Sequence, residues 1–145
     1  MEIRKITAQD CYEIRHDILC HGLPIETCYF KEDFDENTFH LGAFSDDKLV
    51  SIASFCEKKS ENFDDGVQYQ LRGLATLPEY RGMHAATDLI EYAQDIVRQR
   101  GCTILWCNAR VSVGQYYYKI GFEAIGDVFT IDPVGPHTVM YKKLI

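Results

Sequence analysis

The residues best placed to do chemistry sit where an apolar segment meets a helix. Leu71 to Tyr80, LRGLATLPEY, runs into Arg81-Gly82-Met83-His84-Ala85-Ala86, and an amphipathic pattern continues to Arg100. That order reads as strand, tight turn, helix. A glycine and two alanines at a helix mouth keep side chains clear of the first-turn N–H groups. Those donors, with the positive end of the helix dipole, favour a phosphate. Small residues at a helix start also serve plain close packing, so six residues suggest a phosphate cradle without specifying one. His84 adds an imidazole that could donate to a phosphate oxygen, and a positive φ there would be strained.

A second segment, VSVGQYYYKIGFEAIG, places Tyr116, Tyr117 and Tyr118 before Lys119-Ile120-Gly121-Phe122. It reads as a short helix ended by Gly121, with Phe122 opening a strand that locks against the core.

The elements that must position these groups follow from periodicity. EIRKIT is a short first strand. From Ala8 the stripe Cys11, Ile14, Arg15, Ile18, Leu19 predicts a helix begun near Thr7 or Asp10 and stopped by His21-Gly22-Leu23-Pro24. Residues 20–36 read as irregular, a polar and aromatic mixture with His21, Glu26, Cys28, Tyr29 and Phe30 that suits either a substrate cleft or packing under a loop. Thr38 to Phe44 and Lys48 to Phe55 are strands two and three around Ser45-Asp46-Asp47. Past an acidic linker, Glu57 to Gly66, Val67 to Leu77 is strand four, antiparallel to strand three and ended by Pro78. The next helix puts Ala86, Leu89, Ile90, Ala93, Ile96 and Val97 on one face, and Gly101 turns the chain out of it. Cys102 to Cys107 is a buried strand, parallel to strand four by the crossover. Phe122 to Ile131 and His137 to Leu144 are the last two strands, joined by Asp132-Pro133-Val134-Gly135-Pro136.

With 145 residues and 46% apolar content, residues 1–145 are expected to form one domain with room for a core and a deep cleft. No run approaches a membrane span and MEIRKITAQD lacks a secretory apolar core, so a cytoplasmic location is expected. Cys11, Cys20, Cys28, Cys56, Cys102 and Cys107 show no paired C-x-x-C spacing and read as reduced, buried thiols, with zinc a distant second and no metal expected. The formal charge is −7, with acids clustered at Glu32, Asp33, Asp35 and Glu36, at Asp46 and Asp47, and at Glu61, Asp64 and Asp65. On that balance nucleic acid is not an expected partner, and with no long apolar run neither is a membrane. An acidic surface could concentrate a cationic amine, although such runs are more often simply solvated loops.

Taken together, the two motifs resemble the GNAT N-acetyltransferase superfamily. Arg81 to Ala86 resembles its acetyl-CoA signature, Arg/Gln-x-x-Gly-x-Gly/Ala after a strand and a Pro-x-x turn, which cradles the cofactor pyrophosphate; His84 stands where the family has glycine. Tyr116 to Phe122 resembles its closing aromatic-Tyr-x-x-x-Gly-Phe. The wording LWCNAR, YYYKIGF and GPHTVMYKKL is similar to a bacterial subgroup of small, uncharacterised acetyltransferases.

The resemblance spans most of the chain. It implies an α/β (α+β) fold with a mixed, mostly antiparallel sheet of about seven strands flanked by helices. It also implies that strands four and five splay apart, often at a bulge, with the pantetheine arm in the gap, and Leu74, Ala75 and Thr76 match that segment. It further implies cofactor contacts from Arg81, Gly82, Met83, His84, Ala85, Ala86 and Thr87, and from Asn108, which equally reads as a strand-end residue capping its own turn.

Tyr117 matches the family tyrosine that gives a proton to the coenzyme A sulfur. The activity implied is acetyl-CoA-dependent transfer of an acetyl group to a primary amine of a small molecule or peptide by direct attack, with a homodimer left open. The base stays open among Glu26, His21, His137 and a water chain, Glu26 and His137 being the substrate-side candidates. Two other classes are carried: a non-catalytic acyl-CoA-binding module of the same fold, and a thiol enzyme using Cys107 with His137.

Overall fold

The computed structural model describes residues 1–64 and 66–144; Asp65 of the acidic linker and Ile145 lie outside the described residues. Seven strands, β1 (Glu2–Ile6), β2 (Phe39–Ser45), β3 (Lys48–Glu57), β4 (Val67–Thr76), β5 (Cys102–Arg110), β6 (Glu123–Ile131) and β7 (Gly135–Lys143), are hydrogen-bonded in the order β1-β2-β3-β4-β5-β7-β6. The helices are α1 (Ala8–Ile14), α2 (Ala85–Gln99) and α3 (Gly114–Lys119). β4 and β5 run parallel, joined by the α2 crossover, while the β1/β2, β2/β3, β5/β7 and β6/β7 pairs are antiparallel. The sheet is therefore mixed and mostly antiparallel.

The chain divides into two compact units, Met1–Cys56 with Leu71–Ile96, and Glu57–Gln70 with Val97–Ile145. In the first, Thr7 caps α1 with a reciprocal bond to Asp10, and Cys11 and Ile14 pack with Ile52 and Ala75. Asp46 and Asp47 take φ of 48° and 62°, which lets a two-residue turn match the twist of β2 and β3. The helical stripe predicted through Leu19 is interrupted: α1 stops at Ile14 and Arg15–Leu19 is one wider turn, closed by Cys20 N–H to the Arg15 carbonyl at 3.0 Å. Residues 20–36 are mostly irregular, with one 3₁₀ turn at Ile25–Cys28.

In the second unit the parallel ladder of β4 on β5 runs from Val67/Cys102 to Gln70/Trp106, although β5 continues to Arg110. That extension beyond Cys107 comes from a partner, since Asn108 to Arg110 pair with Val139 to His137 of β7. β6 begins at Glu123, one residue later than predicted, because the Phe122 N–H closes the end of α3 instead of a ladder. β7 begins at Gly135, inside the predicted loop, where Gly135 pairs with Ile131.

Candidate active site

The segment that follows β4 makes a 3₁₀ turn at Pro78–Tyr80 and then the loop into α2. Gly82 has φ +81° and His84 φ +63°, so two of three consecutive residues are left-handed. Alternation of this kind curls successive N–H groups toward one side, the arrangement of an anion nest. The His84 carbonyl accepts the Asp88 N–H at 2.9 Å, so α2 starts there, and its fifteen residues supply a full helix dipole. Arg81, Gly82, Met83 and His84 are exposed; Ala85 is buried and Ala86 and Thr87 half-buried. No Cβ at Gly82 would touch anything within 4 Å, so the glycine serves backbone conformation. His84 holds a left-handed conformation without being glycine.

Ahead of the loop, Ala75 is buried in the first unit's core, and its carbonyl accepts the Ser51 hydroxyl at 3.1 Å. Thr76 Oγ1 lies 2.7 Å from the same Ser51 oxygen, and Leu74 is half-buried. Gly73, with φ +62°, interrupts the extended run of β4 just before Leu74.

In the second unit, α3 ends in a Schellman cap. The Phe122 N–H donates to the Tyr117 carbonyl at 2.9 Å, the Gly121 N–H donates to that of Tyr118 at 3.1 Å, and Gly121 has φ +96°. The same cap presses the Phe122 ring against that of Tyr117, centroids 5.4 Å apart. This fixes Tyr117, 7% exposed, facing inward, whereas Tyr118 is 51% exposed. The Tyr117 hydroxyl hydrogen-bonds the Cys107 sulfur. Burial, and then the Cys107 neighbour, push the phenol well above its ordinary range. Burial pushes the Cys107 thiol up to about 12, only partly offset by the phenol, so Cys107 stays protonated at neutral pH. A thiolate nucleophile at Cys107 has no support, and each of the six cysteines is a buried thiol.

His137 is buried on β7 with Nδ1 2.7 Å from the Gly135 carbonyl and its ring stacked on Phe129. Asn108 is exposed in mid-ladder opposite Val139, so it does not cap a strand end. His21 and Glu26 are exposed, Glu26 on the 3₁₀ turn.

One further cluster lies outside both motifs. Arg15, 0% exposed, donates to the Cys28 carbonyl at 2.8 Å, to both Asp33 carboxylate oxygens at 2.8 and 2.9 Å, and to Ser54 Oγ at 2.8 Å. Those bonds use four of its five N–H groups; the Nε–H has no partner among the described residues. His40 extends the cluster, with Nδ1 2.6 Å from Ser54 Oγ and Nε2 3.0 Å from the Asp33 carbonyl. A signal was present, since an arginine inside an apolar helical stripe must be buried with a partner. Among the described residues no group of three His, Cys, Asp or Glu could hold a metal, and no helix is long and apolar enough to cross a membrane.

A sequence model of the acetyltransferase (GNAT) family matches residues 7–122. The chain is 44% identical over 144 residues to a Bacillus subtilis (strain 168) protein named Uncharacterized N-acetyltransferase YitI, covering 99% of this chain and 97% of that protein. Among solved structures it is similar to an aminoglycoside 6'-N-acetyltransferase complexed with coenzyme A, at TM-score 0.78 and 15% identity over 100% of this chain and 98% of that one. It is also similar to an acyl-CoA N-acyltransferase from Pseudomonas aeruginosa, at TM-score 0.72 and 20% identity over 97% and 98%. At those identities the two structures show a shared fold alone.

Proposed function

Because this chain belongs to the acetyltransferase (GNAT) family and is an acyltransferase, we propose that it transfers the acetyl group of acetyl-CoA to a primary amine of a small molecule or peptide by direct attack. The observation that carries the reading is the loop before α2, where two left-handed residues and a helix start offer N–H donors to an anion. A structure of this fold complexed with coenzyme A supports the same cofactor class. The family match runs through both compact units, so residues 1–145 act as one acetyltransferase domain in this reading.

The cofactor supplies an activated acetyl thioester, and the chain's residues do the rest. Arg81 and the N–H groups of Gly82, Met83, His84, Ala85, Ala86 and Thr87 hold the pyrophosphate. The backbone at Leu74, Ala75 and Thr76 aligns the pantetheine arm, with a contact from Asn108. Tyr117 keeps a proton ready for the departing sulfur. His137 holds its own turn through Nδ1, 2.7 Å from the Gly135 carbonyl, and the amine gives its proton to solvent in this reading.

Titration calorimetry with acetyl-CoA, followed by thiol release with a pooled library of primary amines read by mass, tests this. Absence of heat at millimolar acetyl-CoA would end the proposal; heat without thiol release from any amine would leave a binding module. Within the loop, His84→Gly is expected to keep or improve acetyl-CoA affinity, because glycine takes φ +63° without strain. A loss of more than about tenfold, roughly 1.4 kcal/mol, would instead assign the imidazole a phosphate contact.

The acceptor is expected to be cationic or neutral. Of the acids around the irregular segment, Asp33 is taken up by Arg15 and Glu32 by Arg72, leaving Glu26, Asp35 and Glu36 exposed to meet an ammonium. Preferred turnover of an acidic amino acid over polyamines and peptides in the same library would contradict this.

A further inference from the structure

The segment around Phe30 has almost no regular structure, yet two guanidinium groups grip it. Arg15 ties down the Cys28 carbonyl and the Asp33 carboxylate, and its Cζ lies 3.8 Å from the Phe30 ring centroid. Arg72, on β4, donates to Glu32 at 2.8 Å, and its Cζ lies 4.4 Å from the same centroid. The Phe30 N–H closes the turn onto Asp33 at 3.0 Å. Gly73 makes the room: a Cβ there would stand 2.9 Å from Phe30 Cε2 and 3.3 Å from Arg15 Nε. The ring therefore lies directly against the β4 backbone at the residue before Leu74.

We infer that Arg15 and Arg72 are positioning residues for the acceptor, fixing Phe30 and Glu32 as the wall along which the amine approaches. The inference rests on the acetyl-transfer reading above, which lays the cofactor arm along Leu74 to Thr76. An arm that starts at the loop before α2 and runs back along β4 carries its thioester end toward Gly73 and Arg72. The amine must attack from beside that point, where Phe30 and the Glu32 carboxylate stand. Direct attack tolerates little misplacement, so a wall made of irregular chain needs rigid anchors. A planar guanidinium that both stacks on a ring and forks onto a carboxylate supplies such an anchor better than an ammonium.

A purely structural role predicts loss of stability with acceptor kinetics unchanged, and Arg72 separates the two, being 33% exposed and paired with Glu32 where Arg15 is paired with Asp33. The probe is whichever amine of the library the wild type acetylates fastest. In Arg72→Met, its KM is expected to rise about tenfold or more with kcat within about threefold, a loss of acceptor binding alone. Acetyl-CoA affinity by calorimetry and the melting temperature should stay close to wild type. Arg72→Lys should recover only part of the lost KM, since an ammonium keeps the Glu32 pair without the stack, and Phe30→Leu should reproduce the Arg72→Met change. An unchanged acceptor KM in folded Arg72→Met and Phe30→Leu overturns the inference while leaving acetyl transfer intact. Failure of the wild type to acetylate any amine overturns both.

Discussion

Tyr117→Phe is expected to lower kcat about 10²–10⁴-fold, with acetyl-CoA affinity nearly kept. When the amine nitrogen bonds to the thioester carbon and the carbon–sulfur bond breaks, the sulfur must take up a proton or leave as a thiolate. The residue proposed to supply it is a phenol held by burial well above its ordinary range, so it stays protonated throughout any usable assay pH. A phenol so weakly acidic does not surrender its proton outright to a thiolate of pKa about 8.5. It hydrogen-bonds the developing charge and keeps its own proton; the amine's proton passes to solvent and solvent returns one to the sulfur, so the products are amide and thiol. Phenylalanine keeps the contact with Phe122 and the Schellman cap, and losing the bond to Cys107 costs only about 1 kcal/mol of stability. Tyr116→Phe and Tyr118→Phe should be mild, Tyr118 being half exposed. Wild-type kcat in a folded Tyr117→Phe across the pH range would show that the thiolate leaves unaided or by another donor.

The parts of this molecule that could be read from its sequence are those written in local pattern. Gly121 and Phe122 announced the cap that orients Tyr117, the Asp46-Asp47 turn announced its hairpin, and the apolar face of α2 gave that helix almost to the residue. Pairing order was not legible in the same way. Nothing local to β6 or β7 says that β7 inserts beside β5 and leaves β6 at the edge, and the length of β5 depends on a partner about thirty residues away. The site shows the same division. The loop before α2 is a local conformation and its motif was visible, whereas the bond from Tyr117 to Cys107 and the Arg15 cluster join residues that only the fold brings together. Gly73 belongs to the second kind, since its meaning is the Phe30 ring lying against it.

That buried cluster sets the second large expectation: Asp33→Asn should cost about 3–5 kcal/mol of folding stability, because it leaves the Arg15 charge buried without its carboxylate. Arg15→Met should cost a similar amount for the converse reason. The double variant should cost clearly less than the sum, since the two losses remove one interaction. The cluster also gives the fold an acid-side weakness in two windows. Burial alone would push the Asp33 carboxyl up, but the Arg15 bonds, the Phe30 N–H and the Arg15 and His40 charges outweigh it and hold it below its ordinary range. An acid depressed in the folded state stabilises above its unfolded pKa, about 3.9, and that stability is lost as pH falls through the folded value. His40 acts earlier. Burial chiefly lowers it, against the pull of Asp33, and the Arg15 charge adds a smaller push the same way. Neutral His40 accepts the Ser54 hydroxyl proton at Nδ1 and donates from Nε2 to the Asp33 carbonyl, while Ser54 accepts from Arg15; a proton on Nδ1 would turn that acceptor into a second donor aimed at Ser54. The unfolded chain takes up this proton near pH 6.5 and the folded chain resists, so stability should fall as pH drops below about 6.5. Urea melts at pH 7 and at pH 5.5 measure the difference. The wild type should lose stability between them, and His40→Gln, though less stable at pH 7, should lose less. An equal loss in the two proteins would remove His40 from the cause and leave Asp33, with its lower window, as the only acid-sensitive member of the cluster.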